Sequence, residues 1–308
     1  MKKMRLALIA GGKSAEREVS LKSGEQVYKA LDKNKYDIRR YDPASDLTQL
    51  VQDAPQLDVA LIIMHSRGGE DGTVQGLLEL LEVPYQGSGV LASAVAMNKE
   101  LSKTLYQLAG LRVPRALAFT QAAAPSLKEI ESSLGLPAVI KPVNEGSSIG
   151  VTIARTQKEL AAGLKAAFGY DYRVLVEEFI AGVEVTGAVL GNNSPQALPL
   201  VEIVPSSDYI FFDYEAKYKP GATTEICPAR LSPDLTQAAQ QSALTAHQAL
   251  GCRGYSRTDM RLRDGQVYVL ETNTIPGMTA TSLFPQAAQA VGLEFPALLD
   301  TLIQLALE

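Results

Sequence analysis

The chain has 308 residues, 46% of them hydrophobic and 20% charged, enough for two or three modules with proper cores. A formal net charge of −5 and the lack of any basic run exclude a general nucleic-acid binder, so a phosphate ligand must be gathered by local cations. His65 and His247 are the only histidines, which excludes a histidine-rich metal centre. Cys227 and Cys252 lack metal-type spacing and point to a reducing compartment. The first apolar run, Leu6 to Ala10, is too short for a signal-peptide core or a membrane span. A cytoplasmic location with no membrane partner is the expectation.

Residues 4–10 read as a buried parallel strand ended by Gly11-Gly12, followed by a helix over 20–32 that Ser20 caps. Residues 36–41 and 58–64 read as further strands, and 73–81 as a helix. Strands alternating with helices predict an α/β layer with a parallel sheet, whose ligands sit at the carboxyl ends of the strands. Those ends carry Gly11-Gly-Lys-Ser-Ala-Glu16 and His65-Ser-Arg-Gly-Gly-Glu-Asp-Gly72. The first segment falls short of the phosphate-cradling G-x-x-x-x-G-K-S loop, because Ala7 stands where its first glycine belongs. It reads as a tight turn that offers Glu16 to a ligand. Taken alone, Glu16 reads more simply as a solvated first-turn carboxylate, and His65 fits a structural role as well as a functional one.

A second module begins with a helix from Asn98-Lys99 to Ala109, ended by Gly110. Strands over 115–120, 137–141, 151–154 and 173–176 alternate with helices over 126–134 and 156–168. The loop Asn144-Glu-Gly-Ser-Ser-Ile-Gly150 joins two strands, and its glycines free the backbone to lie over a polyanion. With Lys141 at the end of the preceding strand, a phosphate lid is the better reading. Val174-Leu-Val176-Glu177-Glu178-Phe-Ile180, with Glu184 beyond, offers apolar walls and carboxylates to a nucleoside. A plain edge strand fits that run equally well.

In the third module 183–190 and 197–204 read as strands and 205–228 as a long lid loop carrying Lys217. A helix over 233–250 precedes two extended runs around Arg263-Asp264-Gly265, and helices over 281–291 and 296–307 close the chain. Arg257 and Asp259 share one face of the first run, Glu271 and Asn273 one face of the second. Opposed residues of an antiparallel pair share a face, so Asp259 meets Glu271 only across an odd number of loop residues. A three-residue loop at 263–265 supplies that parity. Two carboxylates and an amide oxygen make a hard-oxygen site suited to Mg²⁺ held jointly with phosphate. A cross-strand polar cluster is the plainer alternative, but no lysine lies on that face and Arg257 is the only local basic partner. The turn 274–279 can present backbone N–H groups, and Ser282 stands at a predicted helix start.

This ordered set resembles the ATP-grasp superfamily and, within it, the D-alanine–D-alanine ligase family over essentially the entire chain. The carrying motifs are Gly11-Gly-Lys-Ser-Ala-Glu-Arg-Glu-Val-Ser20, His65-Ser-Arg-Gly-Gly-Glu-Asp-Gly72 and Lys141-Pro-Val-Asn-Glu-Gly-Ser-Ser-Ile-Gly150. They continue with Asp213-Tyr-Glu-Ala-Lys-Tyr218, Gly251-Cys-Arg-Gly-Tyr-Ser-Arg257-Thr-Asp259 and Glu271-Thr-Asn-Thr-Ile-Pro-Gly-Met-Thr279 with Ser282.

The resemblance implies an α/β fold, α+β in part. Its three domains would be a Rossmann-like layer over 1–97 and two ATP-grasp domains over 98–180 and 181–308, working as a homodimer. It implies ATP-dependent joining of two D-alanines through a D-alanyl phosphate. By the same resemblance Lys99 and Lys141 hold the α/β phosphates and Lys217 the γ-phosphate, while Ser148, Glu177, Glu178, Ile180 and Glu184 complete the ATP site. Asp259, Glu271 and Asn273 bind two Mg²⁺ ions, with Mn²⁺ as a substitute. Glu16, with His65 nearby, holds the ammonium of the first D-alanine. Arg257 and the Gly277 N–H face the developing oxyanion, and Ser282 takes the second carboxylate. Ser147 and Tyr218 link the closed lid to Glu16, and Tyr at 218 goes with D-alanine as acceptor. Two residues depart from the pattern: Ser66 where the family has glycine, and Glu178 where it often has lysine. Alternatives are a ligase with D-lactate or D-serine as acceptor, or a non-catalytic ATP-sensing module.

Overall fold

The computed structural model describes residues 2–205 and 223–308; the predicted lid residues Lys217 and Tyr218 lie outside the described residues. The first layer consists of β1 (Met4–Ala10), α1 (Arg17–Ala30), β2 (Tyr36–Tyr41), α2 (Leu47–Asp53), β3 (Val59–Ile63) and α3 (Thr73–Leu80). Its strands pair in parallel in the order β2-β1-β3. Alternate residues of β1 enter different cores: Leu6, Leu8 and Ala10 on one face, Ala7 and Ile9 on the other. A strand covered on both faces has no polar side, which is why this run reads as continuously apolar.

The predicted cap at Ser20 is corrected. Helix α1 begins at Arg17, and Ser20 lies inside its first turns. Its hydroxyl accepts from the Gly11 N–H at 2.7 Å and donates to the Ile63 carbonyl at 2.5 Å, tying β1 to β3. The Gly12 N–H donates to Asp42 at 2.8 Å. Both amides of the glycine turn are thereby taken by side chains, so this turn is no phosphate cradle.

Two helices follow in α4 (Val90–Met97) and α5 (Lys99–Leu108); Asn98 caps the latter, its side chain accepting from the Leu101 N–H. Helices α2 and α4 escape the sequence reading. Helix α4 is apolar and small on nearly every side, so no amphipathic period marks it.

The second layer has β4 (Ala116–Thr120), α6 (Leu127–Leu134), β5 (Ala138–Pro142), β6 (Thr152–Ala154), α7 (Gln157–Ala167) and β7 (Arg173–Glu178). Its strands run antiparallel in the order β4-β7-β5-β6, with a core from Ile130, Ile140, Leu160, Val174 and Val176.

The third sheet comprises β8 (Val183–Leu190), β9 (Gln196–Ala197), β10 (Val201–Pro205), β11 (Thr223–Ile226), β12 (Tyr255–Arg263) and β13 (Gln266–Asn273). Its order is β11-β10-β8-β12-β13, with β9 pairing β8. The strand expected over 197–204 is two short pieces, because Pro199 between them has no N–H for the ladder. Helix α8 (Pro233–Ala249) covers one face, where Ala239, Ala243 and Ala246 meet Met260 and Tyr106 of α5. Helices α9 (Leu283–Gln289) and α10 (Phe295–Ala306) return to the first sheet, with Phe284, Leu298 and Leu302 in one core with Leu6, Leu8 and Ile63. Among the described residues no helix is long and apolar enough to cross a membrane.

The hairpin reaches the predicted pairing by another route. Arg263 pairs with Gln266, so the loop is the two residues Asp264-Gly265, at φ 51° and 71°. Two successive positive φ values belong to the tight turn whose twist matches the strands. Met260 then pairs with Val269, but Asp259 with Glu271, leaving Leu270 as the extra residue of a β-bulge. The even loop alone would put Asp259 opposite Leu270. The bulge restores Glu271.

Where β7 turns into β8, Gly182 has φ 138°, and a Cβ there would lie 1.9 Å from the Leu262 carbonyl oxygen. Gly110, at φ 81°, has open space around it. Gly182→Ala is expected to cost more than about 2 kcal/mol, and Gly110→Ala about 1 kcal/mol. Urea unfolding midpoints test this, and equal losses in the two variants would refute the close backbone approach at Gly182.

Candidate active site

The bulged hairpin puts Asp259 and Glu271 side by side on one sheet face. Arg257 donates to both oxygens of Asp259, Nε at 3.0 Å and a terminal nitrogen at 2.9 Å. The Thr186 hydroxyl adds a bond of 2.6 Å from β8, and the Asn273 amide reaches Asp259 at 3.4 Å. The expectation that Arg257 is the only basic partner needs correction: Lys99 Nζ lies 3.6 Å from Glu271, brought there by α5. Same-strand reasoning cannot see a cation delivered from a helix. Among the described residues no three acidic, cysteine or histidine side chains cluster as a metal cage. Two carboxylates with an amide oxygen nevertheless fit a hard cation whose remaining ligands are phosphate oxygens.

A cleft opens beside this pair, lined by residues of the second and third sheets, by the Gly/Ser loop and by Lys99 of α5. Lys99, Lys141, Ser148, Glu177, Glu178, Ile180 and Glu184, together with Asp259 and Glu271, all line it. The carboxylates are engaged. Glu184 accepts from Arg261 at 2.5 Å, and Glu178 takes the Arg115 backbone N–H at 3.0 Å and its guanidinium at 3.1 and 3.2 Å. The departure at 178 is thus absorbed by a local arginine.

Glu177 is buried between two lysines, with Lys141 Nζ at 2.6 Å and Lys103 Nζ at 2.5 Å. Burial alone would raise its pKa, but the two ammonium groups hold it below the ordinary carboxylate value. Burial opposes the charge on Lys141, yet Glu177 and Glu271 keep its pKa raised. Burial pushes Lys103 down to about 8 against the pull of Glu177. Lys103 is absent from the sequence reading, although its place one turn after Lys99 on the same helix face was a usable signal.

Glu16 is buried and far from a solvated surface carboxylate. Its two oxygens accept from Ser66 Oγ, at 2.7 Å, and from Ser147 Oγ of the Gly/Ser loop. The same loop meets the first layer again where Arg67 pairs with Glu145 at 2.8 Å. Lys99 Nζ donates to the Glu145 carbonyl. His65 places Nδ1 3.3 Å from the Ile275 carbonyl, and its buried Nε2 has no hydrogen-bond partner among the described residues. Burial holds the His65 pKa below the ordinary imidazole value, against the pull of Glu16 and the Ile275 carbonyl. A second recess, lined by Glu70, Lys99, Gly146, Glu271 and Asn273, shares Lys99 and Glu271 with the cleft. In the turn after β13 the Cβ position of Gly277 lies 3.1 Å from Ser282 Oγ, and that hydroxyl accepts from the Thr279 N–H at 3.1 Å. Ser282 is the N-cap residue of α9, as its position in the sequence suggests.

Two family models described as "D-ala D-ala ligase N-terminus" and "D-ala D-ala ligase C-terminus" match residues 5–46 with 39–88, and residues 105–304. The chain belongs to the D-alanine–D-alanine ligase family. A D-alanine–D-alanine ligase of Syntrophobacter fumaroxidans is 61% identical over 306 residues, covering 99% of this chain and 98% of the relative. The solved D-alanine–D-alanine ligase of Bacillus anthracis complexed with ATP is 35% identical at a TM-score of 0.86, covering 99% and 97% of the two chains. The VanG D-Ala:D-Ser ligase of Enterococcus faecalis is 34% identical at a TM-score of 0.84, over 99% and 100%. The ligase architecture read from the motifs is the one found, while ligases named for different second substrates share it.

One buried group of this family member carries a pH signature. Burial and the neighbouring Glu16 push the Glu70 carboxyl up to about 8, although the Ser66 and Ile275 N–H groups donate to it at 2.8 and 3.3 Å. A raised pKa means proton uptake on folding, so the associated stability is full below the ordinary carboxylate range and is lost as pH rises through about 8. The melting temperature of Glu70→Gln is expected to fall less steeply than that of the wild type between about pH 6 and about pH 9. Parallel melting curves would show that Glu70 is ionised throughout.

Proposed function

We propose that this chain joins two D-alanines into D-alanyl-D-alanine at the expense of ATP, through a D-alanyl phosphate, for peptidoglycan precursor synthesis. The observation that carries the reading is the convergence of Asp259, Glu271, Lys99 and Lys141 on one cleft. A carboxylate is a poor electrophile until one oxygen becomes phosphate. The protein's task is therefore positioning and charge stabilisation.

In this reading Lys99 and Lys141 hold the α/β phosphates, and Ser148 contributes from the loop above them. The adenosine lies against Ile180 with Glu177, Glu178 and Glu184 at its polar edges. Asp259, Glu271 and Asn273 would hold two Mg²⁺ ions, with Mn²⁺ as a substitute, whose positive charge would offset that of the triphosphate. Glu16, fixed by Ser66 and Ser147, takes the ammonium of the first D-alanine beside His65. Arg257 and the Gly277 N–H face the oxyanion that forms when the second amine attacks, and Ser282 takes the second carboxylate. Lys217 at the γ-phosphate and Tyr218 beside the acceptor belong to the same proposal, as do the division at 98 and 181, a cytoplasmic homodimer and the absence of nucleic-acid and membrane partners. D-serine as acceptor is the second reading, favoured by the likeness to the D-Ala:D-Ser ligase.

ATP-dependent phosphate release is expected with D-alanine and not with L-alanine; product analysis with mixed D-alanine, D-serine and D-lactate decides the acceptor. Tyr218→Phe is expected to narrow D-alanine's advantage over D-lactate, and an unchanged product ratio would remove Tyr218 from acceptor selection. Glu271→Gln is expected to lower phosphate release by at least about a hundredfold with the melting temperature nearly unchanged. Near-wild-type turnover in that variant would sink the metal assignment.

A further inference from the structure

Lys103 sits where two sheets and a helix meet, and no role described above uses it. It is buried, as are Glu177 and Lys141. Its ammonium group lies 2.5 Å from one oxygen of Glu177, while Lys141 takes the other oxygen at 2.6 Å. The same ammonium donates to the Leu270 carbonyl at 3.1 Å. Leu270 is the bulge residue of β13, which leaves its backbone outside the regular ladder. Lys103 therefore bridges β7 of the second sheet to the distorted point of the third. One turn earlier on α5, Lys99 approaches Glu271.

The charge arithmetic gives this contact a consequence. A buried carboxylate with a single lysine partner forms a neutral pair, and that lysine has little net charge left for a ligand. With two lysines on one carboxylate the trio keeps a net positive charge. Lys141 faces the cleft, whereas Lys103 lies behind Glu177 against β13. We propose that Lys103 is a positioning residue for nucleotide binding: by occupying one oxygen of Glu177 it leaves Lys141 the net charge that attracts the triphosphate, and it fixes the bulge that presents Glu271. The proposal rests on the reading that this cleft takes ATP.

The test compares ATP with adenosine, which fills the same slot without phosphate. Lys103→Gln keeps donors toward Glu177 and Leu270 and removes the charge. By equilibrium binding its ATP affinity is expected to fall about tenfold, while adenosine affinity, measured by competition, stays within about twofold. Lys103→Arg is expected to keep the wild-type ratio of the two affinities. An equal fall for ATP and adenosine, or no fall for ATP, overturns the proposal. So does a Gln variant that does not fold beside an Arg variant that does, since Lys103 then serves stability alone. Wild-type protein that binds no ATP overturns the functional reading itself, and is distinguished because it appears before any variant is compared.

Discussion

The site depends on one residue being out of step. Side chains alternate along a strand, so register decides whether Asp259 and Glu271 share a face or point apart. A two-residue turn at Asp264-Gly265 sets the pairing from the tip, and carried on unbroken it would send Glu271 to the opposite face from Asp259. The bulge at Leu270 changes the parity once, between the structural end of the hairpin and its functional end. Beyond it Thr258 lies opposite Thr272 and Arg257 opposite Asn273. The polar ends of both strands are thus delivered together, while Met260 and Val269 keep the apolar core behind them. Bulges collect next to functional sites because they re-aim side chains without disturbing the rest of a sheet.

A distorted strand leaves backbone groups to be satisfied, and α5 supplies the partners. Lys103 takes the Leu270 carbonyl, and the Tyr106 hydroxyl donates to Thr272 at 2.8 Å. One helix face therefore meets three consecutive residues of β13, with Lys99 at Glu271, Lys103 at Leu270 and Tyr106 at Thr272. Its lysines also reach the second layer, through the Glu145 carbonyl and Glu177. The cleft walls come from different sheets, yet their charges are balanced through this helix. Arg257 and Asp259 follow the same logic within the hairpin, each engaging the other's charge where water is scarce.

Much of this was legible in the sequence, and the failures have identifiable causes. The parallel strands, the capped helix after Asn98 and the hairpin runs are marked by local periodicity and turn chemistry, which act over a few residues. The family resemblance picked out the lysines and carboxylates that line the cleft. The errors arise where tertiary contact overrides local preference. Ser20 looks like a helix cap because serine hydroxyls favour nearby N–H groups, but here its hydroxyl is taken by β1 and β3. The hairpin pairing was right for the wrong reason, since a three-residue loop and a two-residue loop with a bulge give the same parity. Lys103 escapes the sequence reading because its one local signal is the turn that separates it from Lys99, while its partner Glu177 is distant in sequence, on β7 of the second sheet.

Ser66 shows how a departure from a family pattern can be accommodated. It has φ 60°, and Ser147 and Ser148 of the Gly/Ser loop have φ 49° and 57°. Left-handed backbone at a residue with a Cβ costs on the order of 1 kcal/mol, so three such serines in two facing loops require compensation. At Ser66 the compensation is visible: its N–H donates to Glu70 at 2.8 Å and its hydroxyl to Glu16 at 2.7 Å. At Ser147 the hydroxyl reaches the other oxygen of Glu16. Glycine would adopt the same backbone more easily at Ser66 but would leave one oxygen of Glu16 without this donor. The side chain also reaches the loop above, since a Cβ on Gly146 would lie 2.4 Å from Ser66 Oγ. Glycine at 146, already part of the family motif, leaves the room that the Ser66 hydroxyl needs beneath the loop, and the gain is a Glu16 carboxylate held from both sides.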